Sequence, residues 1–162
     1  MKKLTTIILL LFISFSYGQK RELRNANKFY DSGEFSSALD LLESSKVLFD
    51  SSDDKVKSQQ MLLYGKIHTS MQDFSLAMEA FNISKDLGIS SDQLDPELMR
   101  LENSIITNAI ADQESGNSLD AAIKLKMAYD LNPEVNQDYL YFAAGNAVNS
   151  INYSLALEYY LL

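Results

Sequence analysis

Large apolar residues recur along most of this chain three and four positions apart, the spacing of one helix face, and in three places the recurrence is nearly verbatim. The strings GEFSSALDLL at 33–42, QDFSLAMEAF at 72–81 and INYSLALEYY at 151–160 each hold an aromatic (Phe35, Phe74, Tyr153) and an alanine three residues on (Ala38, Ala77, Ala156). A large side chain follows four residues after the alanine: Leu42, Phe81 and Tyr160. The offsets i, i+3 and i+7 predict a helix that starts at each aromatic and turns those side chains inward. A second apolar-periodic stretch lies upstream of the first two strings: Leu23, Ala26 and Phe29 in one case, Met61, Tyr64, Gly65 and His68 in the other. Each unit therefore reads as a helix, a tight turn and a second helix.

A more divergent unit, ESGNSLDAAIKLKMAYDLNPE, offers Gly116 at its turn, Ala121 and Leu125 at the alanine-plus-four spacing, then Ala128 and Pro133, with Ser118 in place of the aromatic. Its register is open by one residue, between Ala121 and Ala122. The segments FDSSDDK and LGISSDQLDPE are polar and turn-rich, and they read as longer connections. In the second of them Asp95 precedes Pro96 as an N-cap precedes a first-turn proline, so a helix is expected to start there and to carry Leu98, Leu101, Ile105 and Ala109 on one face. Gly33 and Gly116 fall to turns, Gly88 to a helix end and Gly65 to a close helix contact facing Ala77. Gly145, inside YFAAGNAV, is expected to serve a contact like that of Gly65.

Taken together these features resemble the tetratricopeptide repeat, a hairpin of about 34 residues with a small residue and an aromatic in its first helix, alanine and an aromatic four apart in its second, and a closing proline. The second unit matches best: Met61 holds the large first-helix position, Tyr64 and Gly65 the Leu-Gly pair, Phe74 follows the turn, and Ala77 and Phe81 sit on the second helix. His68 stands where an aromatic is usual, and no unit has the tryptophan. The resemblance implies an all-α fold, a right-handed superhelical stack of antiparallel helical hairpins (an α-solenoid) over residues 19–162, with units at about 19–52, 58–91, 102–135 and 137–162, the last incomplete. It also implies a concave groove lined from each first helix: Lys20, Asn27 and Tyr30, then Gln59, Lys66 and Thr69, then Ile106 and Gln113, then Tyr141 and Asn149. A lining of polar and aromatic residues suits an extended peptide or a partner helix. Asn27 fits the asparagine of the clamp by which some members hold a terminal carboxylate, but Leu23 replaces its lysine, so carboxylate capture is not expected. The implied function is a non-catalytic scaffold or adaptor for a protein or peptide partner. Two alternatives stay open: the N-terminal interaction array of a larger exported envelope enzyme, and a peptide- or carbohydrate-capturing module, suggested by Tyr30 and Tyr141.

The first residues change the expected compartment. Lys2 and Lys3 precede an uncharged run from Leu4 to Ser16, and Ser16 and Gly18 occupy the small-residue positions of a cleavage site before Gln19. Residues 1–18 thus read as a bacterial secretory signal, the run being short of the roughly 20 residues of a membrane span. The absence of cysteine rules out a lipoprotein signal. The mature chain is expected to begin at Gln19, open to cyclisation to pyroglutamate, and to reside in the periplasm or cell envelope of a Gram-negative bacterium or beyond it, not integral to the membrane.

Composition narrows the chemistry. A hydrophobic content of 46% in 162 residues supports a packed core, and the sequence reads as one globular unit. Removing the signal takes two lysines from 14 basic residues and none from 22 acidic ones, so the formal charge of -8 becomes more negative still. Nucleic-acid binding is therefore not expected. No disulfide or thiolate metal site can form without cysteine. No cofactor is implied either, since the glycines form no phosphate-binding loop. His68 is the single histidine, with no orienting partner evident in the sequence, and it reads as a packed side chain. Asp53-Asp54 and Asp92/Asp95 lack the alternating spacing of a calcium loop and read as solvated charge. The glycosylation sequons at Asn82 and Asn152 read as chance in a bacterial chain. Tyr159, Tyr160, Leu161 and Leu162 form an apolar end where a terminal repeat usually has a polar face, so association through this end, with a further unit or another chain, is expected.

Overall fold

A computed structural model describes residues 18–162, and every regular element among them is an α-helix. Helix α1 occupies 18–31. It is followed by α2 (Phe35–Ser44), α3 (Lys46–Asp50), α4 (Asp54–Met71), α5 (Phe74–Asp86), α6 (Ser91–Glu114), α7 (Ser118–Leu131), α8 (Gln137–Asn149) and α9 (Tyr153–Leu161). The expected leader falls outside the described residues except for Gly18. No helix among the described residues is long and apolar enough to cross a membrane.

The repeated strings meet one repeated piece of backbone. Gly33, Gln72, Gly116 and Ile151 all have left-handed conformations, with φ of 78°, 66°, 82° and 61°. At each, the residue's own N–H donates to the carbonyl three back, and the next N–H donates to the carbonyl five back: Glu34 to Phe29, Asp73 to His68, Asn117 to Asp112, Asn152 to Ala147. This is the Schellman end of a helix, and it satisfies carbonyls that the last turn would otherwise leave unpaired. The next helix starts two residues after each left-handed residue. Its alanine then donates to the residue between: Ala38 to Glu34, Ala77 to Asp73, Ala121 to Asn117, Ala156 to Asn152. The register of the third hairpin is thereby settled in favour of Ala121.

Only two of the four turns hold glycine. A β-branched side chain at positive φ is strained, by roughly 1–3 kcal/mol, and Ile151 is 73% exposed, so it recovers little by burial. Ile151→Gly is expected to stabilise the chain by about 1 kcal/mol after the greater backbone entropy of glycine is offset. A melting temperature equal to or below that of the parent would show that the isoleucine is not strained there.

Contacts divide the chain into two compact units, one ending at Leu94 and one running from Asp95 to Leu162, where the composition suggested a single one. In the first unit Ala26, Tyr30, Ala38, Leu42, Phe49, Leu63, Tyr64 and Ile67 form the core. Ser84 is buried in α5, and its hydroxyl donates to the Ser58 carbonyl of α4 at 2.8 Å. In the second unit Ala109, Ala122, Leu125, Leu140, Ala143, Ala144, Ala147, Ala156 and Tyr159 do the same.

Several details depart from the sequence reading. Phe29 is exposed and Tyr30 takes its place inside, beside the ring of Phe35 at 5.6 Å. In the last string Tyr153 is exposed, and Tyr159 (6% exposed) replaces Tyr160 (52% exposed) as the buried residue, since i+3 and i+4 share a helix face. The nearest neighbour of Gly65 is Phe81: a Cβ on Gly65 would overlap the Phe81 ring. A Cβ on the half-buried Gly145 would meet nothing within 4 Å, so it does not serve a contact like that of Gly65, and the adjacent Ala144 is the buried small residue. The connection after α2 contains a helix, α3, which exists to bury Phe49. Finally, α6 begins at Ser91 rather than after Asp95, because Ser90 accepts from the N–H groups of Gln93 and Leu94 and the added turn buries Leu94. Pro96 consequently lies inside the helix, beside the unit boundary.

Candidate binding surfaces

In the first unit Lys20 is exposed on α1. Asn27 uses its amide on its own helix, donating to the Leu23 carbonyl at 2.9 Å. Tyr30 is buried, and the Lys66 ammonium lies 4.7 Å from its ring centroid, a cation–π contact that joins α1 to α4. Thr69 is buried too, its hydroxyl donating to the Gly65 carbonyl at 2.7 Å. Gln59 donates to the Gln93 side chain at 3.1 Å, and both border an open pocket of about 320 Å³ with Lys55, Leu87 and Ser90. Tyr30 and Lys66 are thus brought together, while Gln59 lies apart from them at its own pocket.

The second unit gathers its residues more closely. Ile106 is half-buried on α6, but Gln113, Tyr141 and Asn149 line one open pocket of about 360 Å³. Phe142, Gly145, Asn146, Val148 and Tyr160 complete it. Tyr141, 66% exposed, meets Phe142 and Tyr160 edge-on, at centroid distances of 6.0 and 6.1 Å. Asn146 is buried at the pocket. Its Nδ2 donates to the Phe142 carbonyl at 3.0 Å and to Gln113 Oε1 at 3.3 Å, while its Oδ1 is shielded from solvent and has no partner. Gly145 was missed as a lining residue because a glycine among alanines reads as a packing device.

A third pocket, of about 270 Å³, lies in the first unit among α2, α3, α4 and α5. Glu43, Asp50 and Glu79 give it a negative rim against the single Lys46. The Tyr64 phenol donates to Glu43 at 2.9 Å, and burial, reinforced by the Glu43 carboxylate, holds it protonated far above the usual phenol range. His68 stacks on Tyr64 with an interplanar angle of 11°, and its Nδ1 lies 3.4 Å from the Asp73 carboxylate. No orienting partner for this histidine is evident in the sequence; the turn supplies one, five residues on. The pair links the end of α4 to the start of α5.

The acidic pairs have local roles or lie in the open. Asp53 caps α4, accepting from the Val56 N–H at 2.8 Å, and Asp92 stands in the first turn of α6, where its charge suits the helix dipole. Asn152 of the second sequon likewise accepts from the Leu155 N–H at 3.2 Å. Among the described residues no three acidic or histidine side chains gather as a metal site would require. No protein-family model matches the chain, and no curated protein matches it.

Proposed function

We propose that this protein is an exported, tetratricopeptide-like scaffold whose stacked hairpins hold a protein or peptide partner in a concave groove and perform no catalysis themselves. The observation that carries the reading is the common turn at Gly33, Gln72, Gly116 and Ile151, with the same two hydrogen bonds and the same buried alanine after it. Four equivalent hairpins are what a helical repeat array requires. The unpaired amide acceptor and exposed rings at the second-unit pocket suit recognition of an uncharged segment, and the acidic chain suits neither nucleic acid nor an anionic membrane surface.

Export and partner capture are tested together. The chain isolated from the envelope fraction of an expressing bacterium is expected to begin at Gln19 by intact mass. In the structure the Gln19 side chain donates to the Leu48 carbonyl at 3.0 Å, so the amide is expected to stay uncyclised, since ring closure would expel the donating nitrogen. A photo-crosslinking residue in place of the exposed Lys20 is expected to trap one predominant protein. Retention of Met1 would remove the export reading; crosslinks scattered over abundant proteins would remove the scaffold reading.

A further inference from the structure

We infer that the second-unit pocket is a subsite for an uncharged, extended segment of the partner, taking one aliphatic side chain among Tyr141, Phe142 and Tyr160 and a main-chain N–H onto Asn146 Oδ1. The inference rests on the scaffold reading and specifies what one part of the groove accepts.

Asn146 gives the strongest indication. The residue is only 5% exposed, and both of its known amide bonds leave Nδ2 toward acceptors, the Phe142 carbonyl and Gln113 Oε1. Turning the amide over would set Oδ1 against those oxygens, so its orientation is fixed by its neighbours. A buried acceptor is thereby left without a donor from the chain itself, a condition that calls for a partner from outside it. Gln113, which holds the other side of this amide at 3.3 Å, is solvent-exposed and can be displaced at little cost. Gln113 bonds Nδ2, so an incoming segment that displaces it opens the pocket side of the amide, and its N–H is then placed to supply the donor that Oδ1 lacks.

Gly145 and the rings define the rest of the ligand. A Cβ on Gly145 would meet nothing within 4 Å, so this part of α8 is bare and a ligand backbone can approach the helix closely. No charged side chain lines the pocket, although the chain as a whole is acidic, which disfavours a charged ligand group that would be desolvated without a partner. Tyr141 meets Phe142 at 70° and Tyr160 at 63°, so the rings form angled walls instead of the flat platform on which a sugar face would stack. Angled walls fit a branched aliphatic side chain, and the amide between them fits the adjoining peptide N–H.

The probe is N-acetyl-leucine N-methylamide, followed by amide NMR of the full mature chain. It is expected to shift the Gly145 amide and the Asn146 side-chain signals, saturating in the millimolar range. Asn146→Leu, which keeps the size and removes the acceptor, and Gly145→Val, which fills the bare part of α8, are each expected to weaken binding by about tenfold or more. Gln113→Ala is expected to bind at least as tightly as the parent. Thermal unfolding of each variant establishes that it is folded; should Asn146→Leu fail to fold, Gly145→Val and Gln113→Ala carry the test. Preferential shifts with methyl β-glucoside would overturn the peptide assignment in favour of a carbohydrate. No shifts with either probe would make the orphan oxygen purely structural, and unchanged binding in the variants would place the ligand elsewhere. If the Lys20 crosslink still traps its partner while the blocked leucine does not bind, the pocket assignment fails and the scaffold reading stands. Binding of the blocked leucine with no trapped partner would mean the reverse.

Discussion

Phe81→Ala is expected to destabilise the first unit by about 3–5 kcal/mol, among the largest effects of any single substitution in the chain. The ring is almost fully buried in α5 and lies against the bare backbone of Gly65 in α4. Its loss removes transfer energy and leaves a cavity that two packed helices cannot collapse into. The converse change, Gly65→Ala, drives a methyl into the ring and is expected to cost about 1–3 kcal/mol. Because the two changes act on one contact, the double variant should be less destabilised than the sum of the singles, the added methyl occupying part of the space the ring leaves. Denaturant unfolding of the four proteins measures the coupling. Simple additivity would mean that Gly65 and Phe81 do not meet. By contrast Glu79→Ala, on the exposed side of the same helix, is expected to stay within about 0.5 kcal/mol of the parent.

Phe49→Ala is expected to cost a similar 3–5 kcal/mol, although Phe49 sits in a segment that reads as a polar connection. Helix α3 has five residues, too few to hold itself together by its own hydrogen bonds. It is anchored by the one ring that enters the core of the first unit. Val47, two residues earlier and exposed, is the control: Val47→Ala should be close to neutral. Equal effects at the two positions, read from the same unfolding curves, would show that α3 is not held by Phe49.

What could be read from the sequence follows from what leaves a period. The helices of the four hairpins could be placed because alanine and large apolar residues recur along them at helical offsets. Helix α3 could not, since one buried aromatic in five residues has no period. Nor could the sequence choose between Tyr159 and Tyr160, because residues three and four after Ala156 lie on the same face and only the neighbouring helix decides between them. The early start of α6 was hidden by the Asp95-Pro96 pair, a strong local start signal overridden by burial of Leu94. At the candidate site the limitation was different. The resemblance named Gln113, Tyr141 and Asn149, which do line one pocket, and also Tyr30 and Thr69, which are buried. It could not name Asn146, since an orphaned acceptor is a fact about neighbours in space.

The division at Leu94 bears on how the chain comes to be folded. The buried residues named in the first unit run from Ala26 to Ser84, and the unit is complete once the first turn of α6 has delivered Leu94. A polypeptide made from its N-terminus can therefore bury that core while the residues after Pro96 are still being synthesised. Should the chain cross a membrane unfolded, the same order applies on the far side: the leading half closes first and ceases to be a substrate for proteases before the trailing half arrives.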